Sequence, residues 1–213
     1  MSFWRCGLCR YVFLVLPLLL MLGWAPIVYG AQVNDISEGL VAFARYNNFT
    51  AYDRYFRKYS KRFFGAAFDW HYFKAQAVAE SNLRPDVRSS AGAVGVMQIV
   101  PRTFEEVRRK DPSITGSVDQ PRWNIAAGIA YDRQNFVAWI ADRPLSEKLK
   151  FMFGSYNAGR SNILRAQQIA LVDGLNGILW ESIAYGLPKV TGRYSRETLG
   201  YVERIFGIRR VLR

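Results

Sequence analysis

The chain has 213 residues, of which 50% are hydrophobic and 15% aromatic, and its formal net charge is +12. This length suits a single domain with a packed core, and the composition excludes disordered, collagenous and coiled-coil chains. With two cysteines, Cys6 and Cys9, and one histidine, His71, the usual nucleophiles and metal ligands are scarce.

Residues 1–31 are predicted to be an export signal. Arg5 and Arg10 precede an uncharged run at residues 11–28, a pattern that is typical of a signal peptide. We expect cleavage after Gly30 or Ala31. An uncleaved anchor is the alternative, because 18 uncharged residues are long enough to span a bilayer.

The export signal limits the location and the chemistry of the protein. We expect it in the periplasm, or on the inner membrane if the segment is not cleaved, with no other membrane contact. Cleavage would remove both cysteines and lower the net charge from +12 to +10. A cysteine nucleophile and a zinc site of nitrogen and sulfur ligands are then excluded. We expect no metal and no cofactor, so carboxylates, hydroxyls, amides and backbone dipoles must carry any chemistry.

The next segment, residues 32–66, is a basic and aromatic-rich lead-in. Within it, residues 37–64 are predicted to form one or two amphipathic helices that pack on the main body. The main domain is expected to cover residues 67–213. After its first helix and loop, further helices are predicted near 102–110, 124–141, 147–158, 161–171 and 197–209. Because the alternation that strands need is scarce, we predict one all-α domain.

The first helix of the main domain is predicted over residues 69–82, with Asp69 as its cap. Glu80 occupies the next position of an apolar stripe that is formed by Trp70, Phe73 and Ala77. Burial of the carboxyl there would raise its pKa, which a general acid near neutral pH requires. Glu80 could instead reach solvent at the helix end or pair with Arg84, so the stripe alone leaves its role open.

Three later segments offer polar groups for a ligand. The loop after this helix contains Gly92 and Gly95, which permit close approach of backbone amides and Gln98 to a ligand. Tyr156 ends a helix on the face of Leu149 and Met152, so it is expected to point inward beside Asn157. Glu197 and Tyr201 share one face of the last helix. Each feature has a plain structural alternative: an ordinary loop, a core tyrosine and a first-turn acid.

Four motifs together resemble the bacterial lytic transglycosylases of the soluble-lytic type, which are relatives of goose-type lysozyme. They are AVAESNLRPDVRSSAGAVGVMQIVP, NIAAGIAY, SYNAG and ETLGYV, in family order over about residues 67–206. The resemblance implies a lysozyme-like all-α domain with a groove for the glycan strand of peptidoglycan.

The resemblance also implies roles for individual residues. Glu80 matches the single catalytic acid/base of the family, and Ser155 stands where alanine is usual. The positions that match substrate-binding or groove-lining residues are Ser81, Met97, Gln98, Tyr156, Asn157, Glu197 and Tyr201. Tyr156 is expected to hydrogen-bond to Glu80 or to the acetamido carbonyl of the substrate.

The activity that the resemblance implies is a lyase reaction on the bond between N-acetylmuramic acid and N-acetylglucosamine, which leaves a 1,6-anhydro end. A lysozyme-like hydrolase is the alternative, and it would need a water-activating carboxylate such as Asp86 or an acid of the loop 92–98, which has none. A non-catalytic wall-binding protein is a weaker alternative. A basic nucleic-acid binder is disfavoured because an exported protein seldom meets nucleic acid. A secretion, conjugation or pilus apparatus is a possible partner.

Overall fold

A computed structural model describes residues 42–213, and the predicted export signal lies outside these residues. The described part of the chain contains eight α-helices and no strand, which confirms the all-α prediction. They are α1 (Asp53–Phe64), α2 (His71–Ser81), α3 (Pro101–Lys110), α4 (Pro121–Ala138), α5 (Leu145–Ala158), α6 (Arg160–Val172), α7 (Trp180–Thr191) and α8 (Ser195–Val211). None of the helices within 42–213 is long and apolar enough to cross a membrane.

The lead-in contributes a short 3-10 turn, Ala44–Asn47, and helix α1. Helix α1 is amphipathic, and it packs on α4 and α2 with Phe56 and Tyr59 buried. The ammonium group of Lys74 on α2 is buried and donates a 2.8 Å hydrogen bond to the carbonyl oxygen of Phe49. The lead-in is therefore part of the packed domain, as the amphipathic pattern predicted, while residues 37–41 of that prediction lie outside the described residues.

Five predicted helices are present, and each begins one to three residues before its predicted start. Two of them begin at Pro101 and Pro121, because the first turn of a helix tolerates a residue without an N–H. Helix α7 was not predicted, since Gly186 and Pro188 interrupt its pattern. A Cβ at Gly186 would lie 2.2 Å from the carbonyl oxygen of Ala166, so this glycine lets α7 pack directly on the backbone of α6.

Helix α5 lies in the middle of the domain and packs on α4, α6 and α8. Helix α2 packs on α8 and α1, and its predicted apolar stripe faces inward, with Phe73 and Ala77 fully buried. The predicted cap at Asp69 is present in part: its carboxylate accepts a 3.1 Å hydrogen bond from the backbone N–H of His71. The end of α2 is fixed by Asn82, whose left-handed backbone (φ 54°) stops the helix just after Glu80 and Ser81.

Candidate active site

Glu80 lies in the last turn of α2, partly buried against α8. The hydroxyl group of Tyr201 on α8 donates a 2.5 Å hydrogen bond to Glu80 Oε1. Tyr201 itself is only 3% exposed, so this contact joins the two helices inside the domain. Tyr156 was expected to hydrogen-bond either to Glu80 or to the acetamido carbonyl of the substrate; in the structure the hydroxyl group that donates to Glu80 is that of Tyr201.

Burial raises the pKa of Glu80 to about 7. The hydrogen bond from Tyr201 and the charge of Arg204 lower this pKa, and the nearby charge of Glu197 raises it, but the loss of water around the carboxyl dominates. A carboxyl group with this pKa is available both as an acid and as a base near neutral pH, which is the requirement for acid–base catalysis at one residue.

The loop between α2 and α3 is held against the core by the buried amide of Asn124 on α4. Its oxygen accepts a 2.7 Å hydrogen bond from the backbone N–H of Met97, and its nitrogen donates to the carbonyl oxygens of Val94 and Val118 at 2.8 and 2.9 Å. Gly95 has a positive φ of 77°, and a Cβ there would lie 2.7 Å from the Asn124 amide. The glycine is thus needed for the loop to approach α4.

Two predicted substrate-binding side chains face the core instead of a groove. The Ser81 hydroxyl is buried and donates a 2.8 Å hydrogen bond to the carbonyl oxygen of Val96, which ties the loop to α2. The Met97 side chain is fully buried and lies against Gly128, where a Cβ would be 2.9 Å from the Met97 Cβ. In the structure the Ser81 side chain packs at the end of α2 and the Met97 side chain packs where the loop crosses α4. Their binding of substrate stays a prediction.

The remaining polar groups of the loop and of α5 are also engaged. The Gln98 side chain is half-buried, and its amide nitrogen donates to the carbonyl oxygens of Val87 and Gly95 at 3.0 and 2.9 Å. The Tyr156 hydroxyl points inward, as predicted, and donates a 2.7 Å hydrogen bond to the carbonyl oxygen of Met97. Burial, followed by the charge of Glu80, holds the pKa of Tyr156 well above its usual value, so it remains a neutral donor.

A groove of about 420 Å³ begins one turn of α8 away from Tyr201 and runs between the ends of α5 and α7. Two predicted substrate-binding residues line it: Asn157, whose amide oxygen accepts a 2.7 Å hydrogen bond from Thr198, and the exposed Glu197. Tyr194, which no sequence pattern indicated, also lines the groove with 63% of its surface exposed. It lies in a 3-10 turn between α7 and α8, and α7 had not been predicted.

A second carboxyl group, Asp132 on α4, lies buried near Glu80 and was missed by the sequence analysis. Its contact is Gln76, which lies one turn before Glu80 on α2. The signal was available: Asp132 follows Asn124 and Gly128 at intervals of four, so it continues the face of α4 that meets the loop. Within the described residues, no group of three histidine, cysteine or acidic side chains could hold a metal ion.

The fold and the site define the class of protein. The family model of the transglycosylase SLT domain matches residues 54–171, more than half of the chain, and the chain therefore belongs to this family. The match begins in the lead-in, at the second residue of α1. The resemblance that the four motifs indicated is confirmed at the level of the family and of the fold.

Individual relatives agree with this assignment. The chain is 32% identical over 150 residues to membrane-bound lytic murein transglycosylase F of Desulfosudis oleivorans, which covers 68% of this chain and 32% of the relative. It is 28% identical over 157 residues to the protein of the same name from Shewanella pealeana, covering 73% of this chain and 30% of the relative. The 70 kDa soluble lytic transglycosylase of Escherichia coli superposes with a TM-score of 0.58 at 26% identity, over 76% of this chain and 24% of that one. The chain thus spans about a third of the length of the curated relatives it matches.

Proposed function

We propose that the protein is a peptidoglycan lytic transglycosylase of the cell envelope, with Glu80 as its single catalytic acid/base. The observation that carries the proposal is the Glu80 carboxyl itself: it lies at the end of α2, has a pKa of about 7 and accepts a hydrogen bond from Tyr201. Membership of the SLT domain family and the names of the relatives support murein as the substrate.

In the proposed reaction, protonated Glu80 donates its proton to the glycosidic oxygen between N-acetylmuramic acid and N-acetylglucosamine. The positive charge that develops at C1 of the muramic acid is stabilised by the 2-acetamido group of the same sugar, so that no second carboxylate is needed. Glu80, now ionised, takes the proton of the C6 hydroxyl, and this oxygen closes on C1. The product has a 1,6-anhydro end, no water is consumed, and Glu80 returns to its protonated state.

Tyr201 supports the ionised state of the acid. As a donor it stabilises the carboxylate that forms when the proton leaves, and its own pKa is raised well above the usual value by burial and by the charge of Glu80, so it stays neutral. Asn157 and Glu197 are proposed to hold the sugars in the groove, together with Gln98 of the loop between α2 and α3. The basic balance of the chain suits approach to a wall polymer that carries lactyl and peptide carboxylates.

The hydrolase alternative requires a second carboxylate that activates water. Asp86, the first candidate, is exposed, and its charge acts on Tyr52 rather than on Glu80. Asp132 is completely buried and therefore has no access to water. Glu197 is exposed and close enough to affect the pKa of Glu80, so the hydrolase remains the alternative that the experiment must exclude.

The test is the chemistry of the new glycan end. Protein lacking residues 1–31 is incubated with purified peptidoglycan, and the released muropeptides are analysed by mass before and after borohydride reduction. We expect products one water lighter than those of a lysozyme and inert to borohydride. Reducible ends would support the hydrolase and contradict the lyase. Glu80→Gln protein that is purified by the same procedure serves as the control for contaminating activity.

A periplasmic or membrane-anchored location and a role in a secretion, conjugation or pilus apparatus are also proposed. The relatives are named membrane-bound murein transglycosylases, which supports the cell envelope as the location. Fractionation of cells that express the full chain tests the location: retention of the protein in the cytoplasm would contradict it. Deletion of the gene followed by assays of secretion, conjugation and piliation tests the role, which unchanged transport and piliation would contradict.

A further inference from the structure

Asp132 and Gln76 meet in the interior of the domain, directly behind the turn of α2 that carries Glu80. Both residues are 0% exposed. Gln76 lies four residues before Glu80, so the two share a face of α2. The Gln76 amide nitrogen donates a hydrogen bond to Asp132 Oδ1, with a length of 3.4 Å. The pair therefore connects α2 to α4 beneath the proposed catalytic residue.

Two oxygen atoms of this pair have no donor. Asp132 Oδ2 and Gln76 Oε1 are both buried, and neither forms a hydrogen bond. A buried acceptor without a partner destabilises the fold, and more so if it is charged. A proton on Asp132 Oδ2 would give both oxygens a partner, because a protonated carboxyl is a hydrogen-bond donor. The Gln76 oxygen is available to accept, since it belongs to the same amide that already donates to Asp132 Oδ1.

We propose that Asp132 is a protonated acid that forms a cyclic acid–amide pair with Gln76, and that this pair positions the turn of α2 that carries Glu80. In the ring, Gln76 Nε2 donates to Asp132 Oδ1 and the Asp132 Oδ2 hydroxyl donates to Gln76 Oε1. Asp132 is thus a positioning residue that acts through Gln76. The proposal rests on the proposed function of Glu80, which it deepens.

The charges around Asp132 agree with a neutral acid. Burial raises the pKa of Asp132 well above its usual value, the hydrogen bond from Gln76 lowers it, and the charge of Glu80 raises it. The other titratable groups that face Asp132 are three phenols, Tyr131 on its own helix, Tyr156 on α5 and Tyr201 on α8, whose pKa values are all raised. The phenols are therefore neutral near pH 7, and Glu80 is the group whose charge changes there.

The neutral pair has two consequences for the site. Ionised Asp132 would place a second negative charge behind Glu80, and it would leave two acceptor oxygens facing each other between α2 and α4. The protonated form avoids both effects, so that the Glu80 carboxyl keeps one position relative to Tyr201 through the reaction. A buried protonated acid also cannot accept a proton from water, which keeps Asp132 out of the role of a hydrolase base.

The protonation of Asp132 is tested by infrared spectroscopy without any use of activity. Spectra of Glu80→Gln protein and of the double variant Glu80→Gln/Asp132→Asn are compared at pH 8, in the inactive background that removes the Glu80 carboxyl. We expect a carbonyl band of a protonated carboxyl in the single variant and its loss in the double variant. Absence of this band from the single variant would overturn the proposal, even if the lyase activity is established.

The positioning role is tested by paired substitutions in the active protein. Asp132→Asn can form an amide–amide ring of the same shape, so kcat should stay within about threefold of the parent protein. Asp132→Leu and Gln76→Leu cannot form a ring, and each should lower kcat by about 10- to 100-fold with little change in KM. Circular dichroism checks that both variants fold. If Asp132→Leu does not fold, the kcat of Gln76→Leu decides the test.

The outcomes separate the two levels of proposal. Normal kcat in Gln76→Leu, or equal losses in Asp132→Asn and Asp132→Leu, would overturn the positioning role. Absence of muropeptide release by the parent protein would instead contradict the proposed function, while the infrared result would still decide the protonation state of Asp132.

Discussion

A carboxyl group lies at each end of helix α2, Asp69 just before its first turn and Glu80 in its last turn, and both groups meet α8, yet their chemistry differs. Before the first turn, Asp69 accepts hydrogen bonds from the backbone N–H of His71 at 3.1 Å, from the His71 ring at 2.7 Å and from Arg209. Burial would raise the pKa of Asp69, but these hydrogen bonds and the Arg209 charge outweigh burial and lower it. In the last turn, Glu80 accepts from the neutral hydroxyl of Tyr201, and its pKa rises to about 7.

The comparison shows what separates a structural carboxylate from a reactive one on the same pair of helices. Asp69 lies at the positive end of the helix dipole, about one third exposed and beside a cation. Glu80 lies at the negative end, is largely desolvated and has a phenol as its partner. The burial of the carboxyl and the charge of its donor decide the outcome, because the packing of α2 on α8 is common to both.

The largest expected difference between the two carboxyls is in catalysis. Glu80→Gln keeps the shape of the side chain but removes the proton donor, and it should lower the rate of muropeptide release by about 10²- to 10⁴-fold or more. Asp69→Asn, just before the first turn of α2, is the matched control and should stay within about threefold of the parent rate. A loss of equal size in Asp69→Asn would show that the two carboxyls do not have distinct structural and catalytic roles.

The hydrogen-bond donor of Glu80 should have the next largest effect. Tyr201→Phe removes the interaction that lowers the pKa of Glu80, so the pKa should rise above about 7. Loss of a hydrogen bond to a carboxylate in the transition state should reduce kcat by about tenfold. Because the reaction needs protonated Glu80, the activity of the parent protein should fall above pH 7, and this limb should move to higher pH in the variant.

A pH profile of kcat measures the effect of Tyr201→Phe, and Tyr185→Phe is the control. Tyr185 is an exposed tyrosine of α7 whose hydroxyl donates to Asp173, away from Glu80. An alkaline limb at the same pH in the parent protein and in Tyr201→Phe would be evidence against the role assigned to Tyr201.

The two carboxyls should also give stability profiles of opposite sign. The folded-state pKa of Glu80 is raised, so its contribution to stability is complete below about pH 4.5 and is lost as the pH rises through about 7. The free energy of unfolding of Glu80→Gln should therefore increase by about 3 kcal/mol relative to that of the parent protein as the pH rises from about 4.5 through about 7. Asp69 has a lowered pKa, so its contribution is present above the usual value of 3.8 and is lost in acid. Asp69→Asn should be destabilised at neutral pH and approach the parent protein in acid.

Denaturant unfolding of the three proteins from pH 3 to pH 9 measures these profiles. Parallel curves for Glu80→Gln and the parent protein would mean that the Glu80 carboxyl has an ordinary pKa in the folded protein. The decisive result is the direction in which each variant's stability changes with pH relative to the parent protein, rather than the size of the change.

The smallest expected effect concerns the cation beside Asp69. Arg209→Gln removes a partly exposed ion pair and should cost less than about 1 kcal/mol, with the difference reduced further in salt. The rate of muropeptide release should not change. Unfolding measured at low and high ionic strength checks the prediction. A changed rate of muropeptide release in Arg209→Gln would contradict it, because it would show that the ion pair at the start of α2 affects Glu80 at its end.

The sequence predicted those features that depend on residue periodicity or on a contiguous motif. The all-α class, five of the later helices and the inward position of Glu80 followed from helical spacing, and the motifs around Glu80 and Tyr156 indicated the family. Helix α7 was missed because Gly186 breaks the helical pattern. A glycine is needed there because α7 packs directly on the backbone of Ala166 in α6. The buried positions of Ser81, at the end of α2, and of Met97, in the following loop, were missed because a motif does not specify which side of a helix end or of a loop faces the core.

What the sequence determined by itself is the catalytic candidate: an acid on the apolar face of a helix, in a chain with a single histidine and cysteines confined to residues 6 and 9. Only the tertiary structure decided the partners of that acid. Tyr201 is 121 positions away from Glu80, and Asp132 is 56 positions away from Gln76. The pKa of a carboxyl depends on the water that its neighbours exclude and on the donors that they supply, and these neighbours come from helices that are adjacent only after folding.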